Sequence, residues 1–205
     1  MPKVKLTKGE LKRQRDALKQ YKRYLPTLQL KKQQLQVKIL FQNRIFEEKE
    51  KERSEKIKNI KIWAGLLSDD NIEIKKWVVP GKIITGVQNI AGADIPVFKR
   101  VEFSPAEYDF FTAPLWVDRA IDELRALVSI TKETETVKKG IEILKSELRV
   151  TTQRVNLFEK VKIPEAEEKI RLIKIYIGDQ MTNSVGRSKI AKRKIEETVP
   201  EGVFA

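Results

Sequence analysis

Apolar side chains in the first part of the chain recur at alternating steps of three and four residues. This spacing places them on one narrow stripe of an α-helix, as in a coiled-coil seam, rather than on the broad face of a compact globule. Thr7 and Glu10 precede the stripe and predict a capping box, in which Glu10 reaches back to Thr7. Pro26 interrupts it, so either one kinked helix or two shorter helices would satisfy the pattern. The predicted stripe contains Leu11, Gln14, Leu18, Tyr21, Leu25, Leu28, Lys32, Leu35, Ile39, Gln42 and Phe46.

A second stripe with the same spacing follows Thr112-Ala-Pro114, where a threonine cap and a proline in the first turn indicate a helix start. The stripe shifts register across Pro164, which predicts a bend or local overwinding of the helix there. Gly178 and Gly186 weaken its last turns. Its positions are Val117, Ile121, Leu124, Val128, Val137, Ile141, Leu144, Leu148, Val155, Phe158, Ala166, Ile170, Ile173, Ile177 and Met181.

The segment between the two stripes is rich in β-branched residues and is punctuated by glycine and proline. It predicts two short strands, at 83–87 and 97–101, joined around Asn89 to Pro96. An isolated hairpin is only marginally stable in water, so the chain's own helices or a partner should cover it. Aromatic side chains cluster nearby and indicate either a local core or an interface. They are Trp63, Trp77, Phe103, Phe110, Phe111 and Trp116.

These elements predict a mainly all-α fold, in which the N- and C-terminal helices form a long antiparallel two-helix coiled coil. A short β-hairpin and a small helical insertion lie in the middle. The insertion reverses the chain direction, so the predicted stalk has both termini at one end. The expected divisions are an N-terminal helix at 1–67, an insertion at 68–112 with its hairpin at 82–103, a C-terminal helix at 113–198 and a frayed tail at 199–205.

The composition removes most kinds of catalytic site from consideration. Histidine and cysteine are absent, which excludes the usual neutral-pH base, the commonest metal ligand and thiolate chemistry. Gly81 to Gly86 lacks the lysine and helix start of a phosphate-binding loop. The carboxylate pairs Asp69-Asp70 and Glu167-Glu168 are typical of turns and solvated helix faces. We therefore predict no catalytic, cofactor-binding or metal-binding residues.

The net charge of +13 indicates an acidic protein partner, an anionic surface or nucleic acid. Most charges are interleaved, as on solvated helix faces, but Arg187 to Lys194 is strongly basic. Antiparallel pairing would bring it near the basic N-terminus and form a positive tip. A free-standing basic coiled coil that binds nucleic acid or acts as a scaffold is thus one hypothesis. The first residues lack a signal-peptide core and no apolar run is long enough to span a bilayer, so a cytoplasmic protein is expected.

Four segments in the same order resemble one protein family. Arg154-Val-Asn-Leu-Phe-Glu159, followed by Ile163-Pro164 and by Ile170-Arg171 with Ile173, is similar to the C-terminal signature of the D subunit of V-type and A-type rotary ATPases. Ile90 to Pro96 resembles that family's hairpin. Leu6 to Lys12 and Leu30 to Leu35 fit its N-terminal helix. Departures at Arg23-Tyr-Leu-Pro26 and Lys32-Gln-Gln-Leu35 indicate a divergent, bacterial branch of the family.

The resemblance implies a non-catalytic central rotor axle whose rotation transmits torque between ATP hydrolysis or synthesis and ion movement across the membrane. It implies that the termini enter the catalytic A/B hexamer. The other end would bind the F subunit and dock on the C subunit (named d in eukaryotes) above the membrane ring. The chain would bind no nucleotide or cofactor itself. It would lie at the cytoplasmic face of the membrane, within the peripheral sector of the complex, and would have no direct nucleic-acid partner.

Three groups of residues receive roles under this resemblance. The seam that would stiffen the axle contains Leu11, Leu18, Leu35, Ile39, Leu144, Leu148, Val155 and Ile170. The hairpin and its aromatic neighbours would bind the F subunit or regulate hydrolysis, through Ile83, Ile95, Phe98 and Phe103. The basic tip would contact the catalytic hexamer through Arg187, Lys189, Lys192 and Arg193.

Overall fold

A computed structural model describes residues 5–68, 74–108 and 113–198 of the chain. Two long helical stretches flank a small antiparallel hairpin, which confirms the predicted fold class. The predicted helix cap at Thr112, the carboxylate pair Asp69-Asp70, and Phe110 and Phe111 lie outside the described residues. The elements are α1 (Lys8–Trp63), a 3₁₀ turn (Ala64–Ser68), α2 (Lys75–Val78), β1 (Pro80–Ile90), β2 (Ala93–Phe103), α3 (Trp116–Leu157), a π-helical segment (Phe158–Lys162) and α4 (Ile163–Thr198).

Helix α1 begins with half of the predicted capping box. The hydroxyl of Thr7 accepts a hydrogen bond of 3.2 Å from the backbone N–H of Glu10. The reciprocal half is wrong, because the Glu10 carboxylate accepts instead from the Gln14 side-chain amide at 2.7 Å. The backbone N–H of Thr7 donates to the carbonyl of Lys5. A glutamine one turn further along the helix therefore replaces the N-cap backbone as the partner of Glu10.

Helix α1 runs through Pro26 without interruption, so the alternative of two shorter helices is wrong. Proline removes one backbone donor from the helix and crowds the preceding turn. The hydroxyl of the next residue, Thr27, donates to the carbonyl of Tyr24 at 2.7 Å and adds a side-chain bond within this turn. Leu25 and Leu28 in the flanking turns are half-buried, and burial of such a face stabilises a helix where a backbone bond is missing.

The chain forms two compact units, one of which spans Leu30 to Thr152. In this unit α1 and α3 are antiparallel, because residues later in α1 form ion pairs with residues earlier in α3. The unit is thereby held by ion pairs between its two helices as well as by its apolar seam. The pairs are Lys31–Glu147 at 2.6 Å, Lys49–Glu133 at 3.1 Å and Lys56–Glu123 at 3.0 Å.

The hairpin in this unit is longer than predicted, and its connection is only two residues long. Ala91 and Gly92 both have positive φ, of 51° and 80°, as a two-residue hairpin turn with the right twist requires. The Asn89 side chain donates to the Asp94 carboxylate at 2.6 Å and accepts from the Gly92 N–H at 3.1 Å. The predicted loop from Asn89 to Pro96 was therefore wrong: Asn89 pairs with Asp94, and Pro96 with Val87.

The other unit contains the described residues up to Gln29 and those from Gln153 onward. Here the start of α1 packs beside the π-helical segment and α4. The Tyr21 and Phe158 rings stack with centroids 5.4 Å apart. Lys22 and Glu167 form an ion pair of 2.7 Å. Three apolar side chains of α4 supply its buried seam, namely Ala166, Ile170 and Ile173.

The helix passes Pro164 through a π-helical turn, so local overwinding is wrong, while the alternative of a bend stays a prediction. The backbone N–H of Ile163 donates to the carbonyl of Phe158, five residues back rather than four. Such a turn is wider than an α-helical turn, and it leaves room for a proline ring that would otherwise collide with a carbonyl one turn earlier. The turn also uses one extra residue. Seam positions accordingly step by eight from Val155 to Ile163, and then by seven to Ile170 and Ile177.

Candidate functional site

The tip of the hairpin is folded back onto the two helices of its own unit. Leu35 and Leu144 are fully buried there, and the hairpin tip covers them. This contact supplies the cover that an isolated hairpin lacks. Since the hairpin end is held by the chain itself, it does not depend on a partner for its position. The buried cluster consists of Leu35, Ile39, Ile90, Ala93, Ile95 and Leu144.

Gly140 is a point at which α3 and the hairpin approach each other closely. A Cβ atom at this position would lie 3.7 Å from the Cβ of Ile95 and 3.9 Å from the carbonyl oxygen of Pro96. Those are ordinary van der Waals distances, so one methyl group fits but a larger side chain does not. A small residue at this position therefore leaves room for the strand beside the helix.

We expect Gly140→Ala to raise the free energy of unfolding by up to about 1 kcal/mol, since alanine favours the helix and its methyl group fits. Gly140→Leu should instead lower it by about 1–3 kcal/mol, because the added atoms push the hairpin away. Urea unfolding of both variants measures the change in the free energy of unfolding. Gly178→Ala, in open space on α4, is the control for helix propensity alone. Equal stability of the alanine and leucine variants would contradict the close packing.

The base of the hairpin is held by Arg125 of α3, a residue that the sequence patterns did not single out. Its Nε donates to the carbonyl of Trp77 at 3.0 Å, and its Nη2 donates to the carbonyl of Ser104 at 2.6 Å. Its guanidinium also lies over the Phe103 ring, 5.4 Å from the centroid. One side chain thus fastens both ends of the insertion to α3. The available signal was an arginine directly after Leu124, a stripe position close to the insertion in sequence.

The aromatic residues near the insertion form a local core, which confirms that interpretation for the three tryptophans. Trp63, Trp77 and Trp116 pack against a buried cluster built from Ile74, Val117, Ala120 and Ile121. Trp77 also contacts the Tyr108 ring at a centroid distance of 5.1 Å. The Tyr108 hydroxyl donates to the Asp118 carboxylate at the start of α3. This core joins the end of α1 to the beginning of α3.

The four predicted partner-contact residues of the hairpin lie in different environments. Ile83 is exposed, whereas Phe98 and Phe103 are half-buried. Ile95 is only 3% exposed and packs inside the tip cluster, so it has too little free surface to contact a partner. Val87, which was not predicted, is 76% exposed. A partner of the hairpin would therefore meet Ile83 and Val87 rather than Ile95.

The end of α4 lies almost wholly in solvent, and all four predicted basic contacts there are exposed. From residue 178 to 197 only Gly186 is half-buried. Met181, which the stripe placed in the seam, is 60% exposed, so that assignment was wrong. Arg193 pairs with Glu197 at 3.0 Å and Lys192 with Glu196 at 3.7 Å, which neutralises part of the charge within the helix. The meeting of the two basic ends stays a prediction.

Polar groups in the unit from Leu30 to Thr152 serve to join its helices. The Lys49 ammonium lies between Glu133 on α3 and Glu52 on its own helix, and its hydrogen bond to Glu133 raises its pKa above the ordinary value.

Across residues 5–68, 74–108 and 113–198 there is no group of three or more carboxylates that could hold a metal ion. Within the same ranges no helix has both the length and the apolar character that crossing a membrane requires.

Comparison with known proteins assigns this architecture to a family. A family profile described as the D subunit of ATP synthase matches residues 10–193. The chain belongs to the ATP synthase D subunit family. Three curated relatives, each named as the D subunit of a V-type ATP synthase, match over nearly the whole chain.

The relative from Borreliella burgdorferi is 44% identical over 195 residues, covering 95% of this chain and 96% of its own length. A relative from Chlamydia pneumoniae is 34% identical, and the match covers 94% of this chain and 93% of the relative. A relative from Chlamydia felis is 31% identical, and the match covers 98% of each chain. The resemblance inferred from Arg154 to Ile173 is thus confirmed. This D subunit is a component of an ATP synthase complex, so its exposed surfaces are candidates for contacts within that complex.

Proposed function

We propose that this D subunit is the central-stalk axle of a V-type or A-type ATP synthase and transmits torque between the catalytic A/B hexamer and the membrane ring. The observation that carries the proposal is the pair of long helices joined by an apolar seam and by ion pairs between the helices. In an axle this arrangement resists twisting, because sliding one helix along the other would break both kinds of contact. Such a subunit needs no catalytic residue of its own.

The seam residues are proposed to supply torsional stiffness rather than binding specificity. Leu35, Ile39 and Leu144 are buried in one unit, and Val155 and Ile170 in the other. Close-packed side chains of this kind transmit strain with little compression. Torque applied at one part of a helix would then pass along it. The remaining predicted seam residues are half-buried at the same spacing, namely Leu11, Leu18 and Leu148.

Each exposed surface has a proposed partner in the complex. The exposed face of the hairpin, including Ile83, would bind the F subunit. The C (or d) subunit would dock near the groove of about 510 Å³ at the junction of α1 and α3, where Ile62 and Leu115 are highly exposed. Large exposed apolar side chains are typical of such contacts. The A/B hexamer would meet the basic, solvent-exposed end of α4, with Arg187, Lys189, Lys192 and Arg193.

Co-expression with the A, B and F subunits tests the proposal. The full chain should elute with all three on size-exclusion chromatography, and the complex should hydrolyse ATP. Reversing Arg187, Lys189, Lys192 and Arg193 to glutamate should weaken retention of A and B while F stays bound. The control for a general charge effect reverses four exposed lysines outside α4 to glutamate, which changes the net charge by the same amount: Lys51, Lys138, Lys139 and Lys145. Failure of the unaltered chain to join A, B or F would overturn the proposal.

The alternative of a free-standing nucleic-acid binder makes a different prediction. It requires affinity for DNA or RNA that falls steeply with salt, since each phosphate contact releases counterions. Binding assays on the isolated chain at low and moderate salt separate the two functions. No binding at low salt would remove the alternative.

A further inference from the structure

The unit from Leu30 to Thr152 has two buried apolar clusters, one toward each end of its helix pair. One is the tip cluster around Leu35 and Leu144. The other is the local core around Ile121, against which Trp63 at the end of α1 packs. The contacts between these two clusters therefore decide how firmly the middle of the helix pair is held.

The stretch between the clusters is polar on both helices. Residues 47–56 of α1 and 131–136 of α3 contain no apolar side chain, and together they are named the polar interval. The Lys49–Glu133 ion pair of 3.1 Å places the two runs opposite each other. These two side chains are 30% and 29% exposed, so water and salt weaken their attraction. The apolar side chains that border the interval belong to neither cluster, namely Phe46, Ile57 and Ile130.

The polar interval also buries groups that are poorly satisfied while the helices are packed together. The Nε of Arg53 is buried and has no hydrogen-bond partner among the described residues, and such an unpaired donor costs free energy. Thr134 and Thr136 are buried too, and each hydroxyl donates to a carbonyl four residues earlier, at 2.8 and 2.7 Å. Hydroxyl bonds of this kind slightly destabilise a helix and often bend it. Water that enters between separated helices can bond to these groups.

We infer that the polar interval is a joint that opens on its own, so that the two helices separate there while both apolar clusters stay packed. A region with few buried apolar contacts opens at a lower free energy than the core around it. In the closed joint the Lys49–Glu133 pair fixes the register of the helices. In the open joint only two unpaired helices connect the clusters, so the ends of the unit can twist relative to each other. The inference concerns the chain itself and does not depend on the axle role.

Hydrogen exchange of the full chain, followed in short peptides, tests the joint. Separated helices of this length are marginal in water, so their amides exchange when the joint opens. We expect amides of the polar interval to exchange at least about tenfold faster than those beside Leu35, Leu144 or Ile121. The two runs should share one opening and therefore show the same protection. Equal protection along α1 from Leu35 to Ile60, or a steady gradient toward one end of the unit, would overturn the inference.

Salt provides a second measurement on the same chain. Raising the salt concentration from about 0.05 M to about 0.5 M should speed exchange in the polar interval, because salt screens the partly exposed ion pair. Exchange in the two clusters should not become faster, since apolar burial holds them. Faster exchange in the clusters and the interval alike would show general unfolding and contradict a separate joint.

Filling the polar interval with apolar side chains should close the joint. Arg53→Met with Thr134→Val removes the unpaired donor and one buried hydroxyl, and it should slow exchange in the interval at least about fivefold. The matched control is Arg44→Met with Thr182→Val. Arg44 also pairs with a glutamate of its own helix, and the Thr182 hydroxyl also bonds to a carbonyl four residues earlier, but both side chains are exposed. The control should leave exchange in the interval within about twofold. Unchanged exchange in the first variant, or equal slowing in both, would overturn the inference.

Discussion

Replacing Leu144 by alanine is expected to lower the free energy of unfolding by about 2–5 kcal/mol. The side chain is fully buried and packs where α1, α3 and the hairpin tip meet. Its removal leaves a cavity that three separate elements would have to close, so relaxation can recover little of the lost contact. Urea unfolding followed by far-ultraviolet circular dichroism measures the change.

The same substitution should loosen the hairpin before it melts the helices. Ile95 and Ile90 lose a central partner in the tip cluster, and the two strands then depend on their own hydrogen bonds. Hydrogen exchange should be faster in residues 80–103 than in the middle of α1. Leu115→Ala is the matched control, because Leu115 is 98% exposed and its loss should change stability by less than about 0.5 kcal/mol. Similar losses in both variants would show that Leu144 is not a core residue.

Replacing Arg125 by alanine is expected to lower the free energy of unfolding by about 2–4 kcal/mol and to loosen the base of the hairpin from α3. Two carbonyls, those of Trp77 and Ser104, lose a charged donor, and the Phe103 ring loses its cation. Tryptophan fluorescence is a direct readout, because Trp77 packs in the local core beside Tyr108. The emission should shift to longer wavelength as water reaches the ring.

Two further variants make the Arg125 experiment specific. Arg125→Lys keeps the charge but cannot reach both carbonyls with a planar fork, so it should recover only part of the loss. Arg149→Ala removes the same side chain from an exposed position on α3 that is far along the helix from Trp77, and it should leave the fluorescence unchanged. Full recovery by lysine would mean that charge alone, and not the two-carbonyl geometry, holds the insertion.

The helices and their inner faces could be predicted from the sequence because helix periodicity is a local property. Leu35 and Ile39 were assigned to the seam from spacing alone, and they are buried. Met181 obeyed the same spacing but is exposed. Periodicity identifies a face that could be buried, and whether another element reaches that face depends on tertiary structure.

The hairpin shows why other features could not be predicted. Asn89 and Asp94 are residue types that favour loops, yet here they bond to each other across a tight turn and extend both strands. The marginal stability of a hairpin indicates that something covers it but does not say whether this is a partner or the chain's own helices, so the assignment of Ile95 to a partner missed its packing in the core. Arg125 was missed because its two acceptors lie 48 and 21 residues away in sequence.

The π-helical turn from Phe158 to Lys162 determines which later residues of the helix face the seam. An inserted residue would rotate every later side chain of an α-helix by about 100°. Here the wide turn contains one residue more than an α-helical turn, so the seam continues on the same side of the helix. From Ile163 onward the seven-residue repeat is shifted by one position. Seven-residue repeats counted from α3 into α4 must therefore restart at Ile163. The wide turn is also where a change of one residue in chain length disturbs the downstream seam least.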